Sequence, residues 1–187
     1  MNSSQNHKSN IRSFICIDFS DEVIKEVARI QSLLEKRFIG KFTELENLHL
    51  TLKFLGEISP EILEKVKSSL SAIQLPIFEA HLEDIGTFSI KNNPRILWIK
   101  IAGKPIYELQ KQIDLSLSPL FKPEERFMSH LTIARIKYIK DKEYFSQTLK
   151  NITVKKIKFP ISSFKLKSSD LKPMGPFYTT IEEYKLL

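Results

Sequence analysis

The sequence predicts a layered domain of mixed strands and helices, α+β or α/β, and three observations predict it. Runs rich in β-branched and aromatic residues alternate with capped, amphipathic helical patterns. The connections between them are short, and only five of the 187 residues are glycine. With 42% hydrophobic and 27% charged residues there is enough apolar surface for a packed core, which excludes a disordered chain. At about 100–200 residues per domain, this length allows one domain or one body of two similar lobes, and it is too short for a TIM barrel.

Residues 1–11 read as a flexible polar tail and 12–187 as the single folded domain. The first strand is 12–18, RSFICID. Ser20, Asp21 and Glu22 then supply a cap and an acidic first turn for a helix whose apolar face is Val23, Val27, Ile30 and Leu34, expected to run to about Phe38, before Gly40. A second helix opens at Ser59-Pro60-Glu61, with cap, N1 proline and first-turn acid in order, and buries Leu63, Val66, Leu70 and Ile73. A third follows Pro105, with Ile106, Leu109, Ile113 and Leu117 on one face, and a shorter fourth follows Asp141. Strand patterns cover 47–55, 77–88, 95–102, 129–136, 152–159, 161–167 and 178–186.

Lys plus Arg total 29 against 22 for Asp plus Glu, a net +7 that favours a polyanionic or phosphorylated partner. Lysines crowd 150–172, where they read as a solvated strand face or as part of an RNA-backbone groove. The single cysteine, Cys16, excludes an internal disulfide and a cysteine zinc site. Its apolar setting, Phe14-Ile15-Cys16-Ile17, marks a buried structural thiol in a reducing compartment. No run approaches the ~18 apolar residues of a membrane span, and the opening residues lack the apolar stretch of a leader. The expected location is the cytoplasm, with no membrane partner.

One internal similarity carries the chemistry. Leu48-His49-Leu50-Thr51-Leu52 recurs as Ser129-His130-Leu131-Thr132-Ile133, in both cases on a strand pattern. Strand side chains alternate, so His49 and Thr51 share one face while Leu50 and Leu52 take the core, and His130 and Thr132 do the same against Leu131 and Ile133. Two such strands across a groove would surround a small anion with two imidazoles and two hydroxyls, an arrangement suited to in-line displacement at phosphorus. With an ordinary pKa of ~6.5, one imidazole can accept a proton while the other donates one. A hydroxyl two residues along can hydrogen-bond a non-bridging oxygen, where the developing charge lies. A lone His-x-Thr carries little meaning; a matched pair carries much more. The other histidines, His7 in the tail and His81 on a solvent face, have no second copy. With no cysteine or clustered carboxylate beside these strands, neither metal nor cofactor is expected.

At these residues the chain resembles the 2H phosphoesterase superfamily, and within it the RNA 2′,3′-cyclic phosphodiesterases, also called 2′-5′ RNA ligases. The resemblance runs from about Arg12 onward. It includes residues 12–18 as the opening strand, 46–57 around the first motif, Pro94-Arg95-Ile96-Leu97-Trp98 at mid-chain, 126–135 around the second motif, and Gly175-Pro176-Phe177-Tyr178 before the last strand.

The resemblance implies a bilobal α+β fold of two pseudo-symmetric lobes of antiparallel strands, helices outside and a catalytic cleft between. It also implies hydrolysis of an RNA-terminal 2′,3′-cyclic phosphate to a 2′-phosphate, with the ligation of tRNA halves as a weak reverse reaction; the chemistry is expected to be metal-independent, the substrate an RNA end such as a tRNA fragment, and the protein a monomer. On this reading His49 protonates the leaving O3′, His130 activates water, and Thr51 and Thr132 bind phosphoryl oxygens. Arg135 would contact phosphate or stack on the terminal base. Phe14 would face the nucleobase or fill the core.

Two departures stand out. Ser129 occupies a place where the family usually has proline. Arg135 lies five residues after His130, and that odd spacing aims it away from the cleft unless a bulge re-aims it. Rival readings are another phosphoester substrate, such as a 2′-5′ oligonucleotide or a small cyclic nucleotide, a non-catalytic RNA-binding module, and a two-histidine metal site without a third ligand.

Overall fold

The computed structural model describes residues 9–173 and 175–187. Residues 1–8 of the expected tail lie outside the described residues, and the first strand already begins at Ile11. Among the described residues nine strands, β1 (Ile11–Asp18), β2 (Ile39–Phe42), β3 (His49–Ile58), β4 (Phe78–Ile90), β5 (Asn93–Ala102), β6 (His130–Tyr138), β7 (Lys158–Ile161), β8 (Ser163–Lys172) and β9 (Gly175–Lys185), alternate with four helices. The helices are α1 (Asp21–Leu33), α2 (Pro60–Ser71), α3 (Lys104–Leu117) and α4 (Lys142–Asn151).

All recorded strand pairings are antiparallel, in the order β7-β4-β5-β6-β3-β1-β8-β9 with β2 beside β6. The two lobes are therefore halves of one hydrogen-bonded sheet, and the seam between them is a single pair, Leu50 opposite Leu131. Both leucines are fully buried, as are the apolar faces of the helices packed behind them. α1 lies over β6, while α3 lies over β3 and packs on α2. The sheet's other face forms the cleft.

The helix signals act as their chemistry requires. The Ser59 hydroxyl accepts from the Ile62 N–H and the Asp141 carboxylate from the Tyr144 N–H, so both caps satisfy a donor left free in the first turn. α1 stops at Leu33, short of Phe38, because Lys36 takes a left-handed conformation (φ 60°) and turns the chain back. That turn delivers Phe38 against Phe42 and Phe145, at centroid distances of 5.1 and 6.2 Å, and starts β2, which the sequence pattern did not disclose.

The expected strand over 152–159 is mostly not one. Ile152, Val154 and Ile157 pack against the core, but α1 takes up the backbone polar groups between them. The Arg29 guanidinium donates to the Thr153 carbonyl (2.8 Å), and the Glu26 carboxylate accepts from the Lys155 N–H (2.9 Å). A strand partner is displaced, and β7 begins only at Lys158.

Candidate active site

The seam places the two motifs. With Leu50 opposite Leu131 on antiparallel strands, a local dyad relates β3 to β6 and superposes His49 on His130 and Thr51 on Thr132. All four side chains line one cleft of about 260 Å³. The structure thus brings together the four residues singled out by the repeat.

Each imidazole is fixed in the same way. His49 Nδ1 lies 2.7 Å from the Asn47 carbonyl and His130 Nδ1 lies 2.7 Å from the Met128 carbonyl. A carbonyl oxygen only accepts, so Nδ1 carries the proton in both rings and Nε2 is left to exchange protons. The ring planes are held from the side. Phe14 and Tyr178 flank His49 at 4.9 and 5.3 Å, Tyr178 edge-on, and Phe88 meets His130 edge-on at 4.9 Å. Burial pushes the His49 pKa down to about 4, a drop that the Asn47 hydrogen bond opposes and the Lys167 charge reinforces. Burial also lowers His130, against the hydrogen bond to Met128. At neutral pH the unliganded site therefore holds two neutral imidazoles.

Arg135 lines the cleft despite its odd spacing. On β5, Leu97 pairs with Ala134 and Trp98 with Thr132, so Ile133 is an extra residue on β6. Ile133 and Ala134 are consecutively buried, and beyond this bulge Arg135 returns to the face of Thr132. The same device operates on β3: Ile15 pairs with Lys53 and Cys16 with Thr51, leaving Leu52 extra and turning Phe54, 63% exposed, into the cleft. Phe54 is the dyad mate of Arg135. Its position five residues after His49 was the available signal, hidden by the same parity argument.

Phe14 does not face the cleft as a nucleobase partner. It is 2% exposed, sealed behind His49, Phe54 and Tyr178, and so serves as backing for the His49 ring. Cys16 is fully buried, and burial pushes its thiol up to about 12, which leaves it inert as a nucleophile. Ser129 is also fully buried, with a hydroxyl that finds no partner among the described residues.

The cleft has a further wall that the sequence reading missed. Lys41, Phe42, Thr43, Glu44 and Asn47, from β2 and the following 3-10 turn over Leu45–Asn47, face Pro176 and Tyr178 at the start of β9. The Asn47 amide donates to the Pro176 carbonyl (3.1 Å) while its own carbonyl holds His49. Lys41 and Glu44 form an ion pair of 2.5 Å over Gly175. At that glycine φ is 141°, and a Cβ would stand 2.9 Å from Lys41 Nζ, so no other residue fits without displacing the pair. Among the described residues no group of three or more His, Cys, Asp or Glu side chains is arranged to hold a metal ion, and no helix is long and apolar enough to cross a membrane.

A curled antiparallel sheet that carries one His-x-Thr on each side of its dyad defines a paired-histidine phosphoesterase. The chain belongs to the LigT-like phosphoesterase family, whose model matches residues 17–98 and 100–178, one motif in each segment. A Methanocaldococcus jannaschii protein named RNA 2′,3′-cyclic phosphodiesterase is 37% identical over 176 residues, spanning 93% of this chain and all of that one. A Thermotoga maritima protein of the same name is 32% identical over 178 residues, covering 92% and 94%. The crystal structure of TT0787 of Thermus thermophilus superposes with a TM-score of 0.81 at 26% identity, over 94% of this chain and 97% of that one.

Proposed function

We propose that this enzyme hydrolyses the 2′,3′-cyclic phosphate at an RNA end to a 2′-phosphate, without a metal ion, by acid/base action of His49 and His130. The observation that carries the reading is the pair of imidazoles, each with its Nδ1 proton committed to a backbone carbonyl, in one cleft with two threonine hydroxyls. The names of the relatives support the substrate.

In this scheme Thr51 and Thr132 donate to the non-bridging oxygens and hold phosphorus between the rings. His130 Nε2 takes a proton from water as the water oxygen bonds to phosphorus. The P–O3′ bond breaks, and His49 Nε2–H gives its proton to O3′, leaving a 2′-phosphomonoester and a free 3′-hydroxyl. Solvent then resets both rings. Since burial leaves His49 neutral in the free site, its proton arrives with the substrate, whose phosphoryl anion favours an imidazolium. Replacing the water by the 5′-hydroxyl of a second RNA forms a P–O5′ bond as P–O3′ breaks and O3′ takes the His49 proton, a weak ligation to a 2′-5′ linkage that is the reverse of 2′-5′ linkage cleavage. Arg135 and Phe54, on opposite walls, serve the terminal nucleotide as phosphate or base partner and as stacking surface. The site is complete within one chain, which supports a monomer, and the free thiol of Cys16 supports a cytoplasmic setting.

The test is to incubate the protein and EDTA with a short RNA ending in 2′,3′-cyclic phosphate and to separate the product against 2′- and 3′-phosphate standards. A 2′-phosphate is expected, with turnover lowered by roughly 10²–10⁴ in His49→Ala and in His130→Ala. A 3′-phosphate product, or an activity restored only by added metal, overturns the scheme.

A further inference from the structure

The dyad that matches the motifs also matches the strands beside them, and there the two halves differ. Next to β3, Asp18 lies across from His49 and Cys16 across from Thr51; one strand further out, Lys165 pairs with Cys16 and Lys167 with Phe14. Next to β6, Lys100 lies across from His130 and Trp98 across from Thr132; one strand further out, Gly86 pairs with Trp98 and Phe88 with Ile96. Equivalent places thus hold Asp18 and Lys100, Lys165 and Gly86, Lys167 and Phe88.

The His49 side carries a fixed charge cluster. The Asp18 carboxylate accepts from Lys167 Nζ at 2.6 Å and from Lys165 Nζ at 2.9 Å, and the Lys167 side chain is only 12% exposed. On the His130 side the place of Lys167 is taken by the Phe88 ring, and Lys100 turns to Glu83 (2.6 Å). The groups that face His49 are Asp18 from β1, Lys167 from β8, Phe14 from β1 and Tyr178 from β9, His130 across the seam and the Asn47 carbonyl below, while Lys165 is held on Asp18.

We propose that the Asp18–Lys167 ion pair is a positioning device for His49 with no counterpart beside His130, so that two copies of one motif divide the acid and base work. The inference rests on the two-histidine reading above and acts through His49, not on substrate. After burial and the Asn47 hydrogen bond, which weigh most on His49, the Lys167 ammonium pushes its pKa down, the Asp18 carboxylate pushes it up and His130 adds a smaller downward push, while His130 itself answers to burial and the Met128 carbonyl. Lys167 and Lys165 in turn keep Asp18 ionised in a half-buried place where burial alone would favour its neutral form.

The two charges oppose one another, so removing them must move His49 in opposite directions, which a merely structural role would not do. The experiment is an NMR titration of both imidazoles in the wild type, Lys167→Met and Asp18→Asn. It is paired with the pH profile of kcat/KM on an RNA 2′,3′-cyclic end. Lys167→Met raises the His49 pKa and Asp18→Asn lowers it, each by about half a unit or more, the size expected of one neighbouring charge in a partly screened site. His130 stays in place, and the kcat/KM limb belonging to His49 moves in the same two senses. Shifts of one sign in both variants, equal shifts in both rings, or none overturn the inference. Should Asp18→Asn fail to fold, Lys167→Met and Lys167→Gln decide alone: an unmoved His49 overturns it. A wild type that titrates as described but does not turn over the cyclic end defeats the proposed function and leaves the tuning of His49 standing.

Discussion

Phe54 and Arg135 occupy the same step of the two repeats, each five residues beyond its histidine and each returned to the cleft by one extra residue, Leu52 or Ile133. A bulge repeated at the same place on both strands is what converts an odd spacing into a shared face. The outcome is a cleft with a guanidinium on one wall and an aromatic ring on the other.

Arg135→Ala and Phe54→Ala therefore weaken the grip on the substrate more than they slow the chemistry. KM for a cyclic-phosphate RNA end is expected to rise roughly tenfold in each variant, the worth of about 1–2 kcal/mol of stacking or charged hydrogen bonding. Steady-state kinetics check it, and a loss confined to kcat would contradict the placement.

Thr51→Val and Thr132→Val keep the shape of the strand and remove one proposed oxyanion donor each. A fall in kcat of roughly 10²-fold is expected from either, measured at saturating substrate, with the thermal midpoint little changed.

Protonation of His49 couples the fold to pH. Its pKa is about 4 in the folded chain against an ordinary 6.5, so between these values the unfolded chain binds the extra proton and stability rises with pH. The contribution is complete above pH 6.5 and is lost as pH falls toward 4, by about 3 kcal/mol at most. Denaturant midpoints at pH 7 and pH 4.5 should differ by less in His49→Gln than in the wild type.

Lys53 sits on the core side of the same β3 bulge, 2% exposed, with its ammonium on Asp114 (2.5 Å) and on the Lys122 carbonyl (2.7 Å). Burial would raise the Asp114 pKa, but Lys53, the Glu124 N–H and Gln110 hold it low. Lys53→Met strands that carboxylate in the interior at a cost of about 3–5 kcal/mol, visible as a thermal midpoint lower by roughly 10 °C. The double variant with Asp114→Asn should recover part of the loss.

Ser129, just before the second histidine, has an effect that can be read in the core. Its hydroxyl is buried without a partner among the described residues, so Ser129→Ala is expected to stabilise by about 1 kcal/mol in calorimetry, with activity retained.

Much of this was legible in the sequence where one residue does one local job. Ser59, Pro60 and Asp141 announce their helices, and the repeated His-x-Thr announces the seam, because caps and alternation are properties of neighbouring residues. The rest depends on distant partners. Ile133-Ala134 reads as an ordinary apolar run, and only the pairing of β5 shows it to be a bulge that turns Arg135 inward. Residues 152–157 have a strand's composition, but Glu26 and Arg29, more than a hundred residues earlier, take their hydrogen bonds. Phe14 has the character of a base-stacking ring and the burial of a core residue, a choice made by Tyr178 closing over it from β9.

The single ladder pair at Leu50 and Leu131 has a mechanical meaning. Along β1 and β3 the backbone is bonded over the whole length of the strands, whereas at the seam one pair ties two broad plates edge to edge. The two histidines stand on either side of that pair, so the spacing of the two imidazoles is set by the packing of α3 behind β3 and of α1 behind β6 rather than by a ladder of backbone bonds.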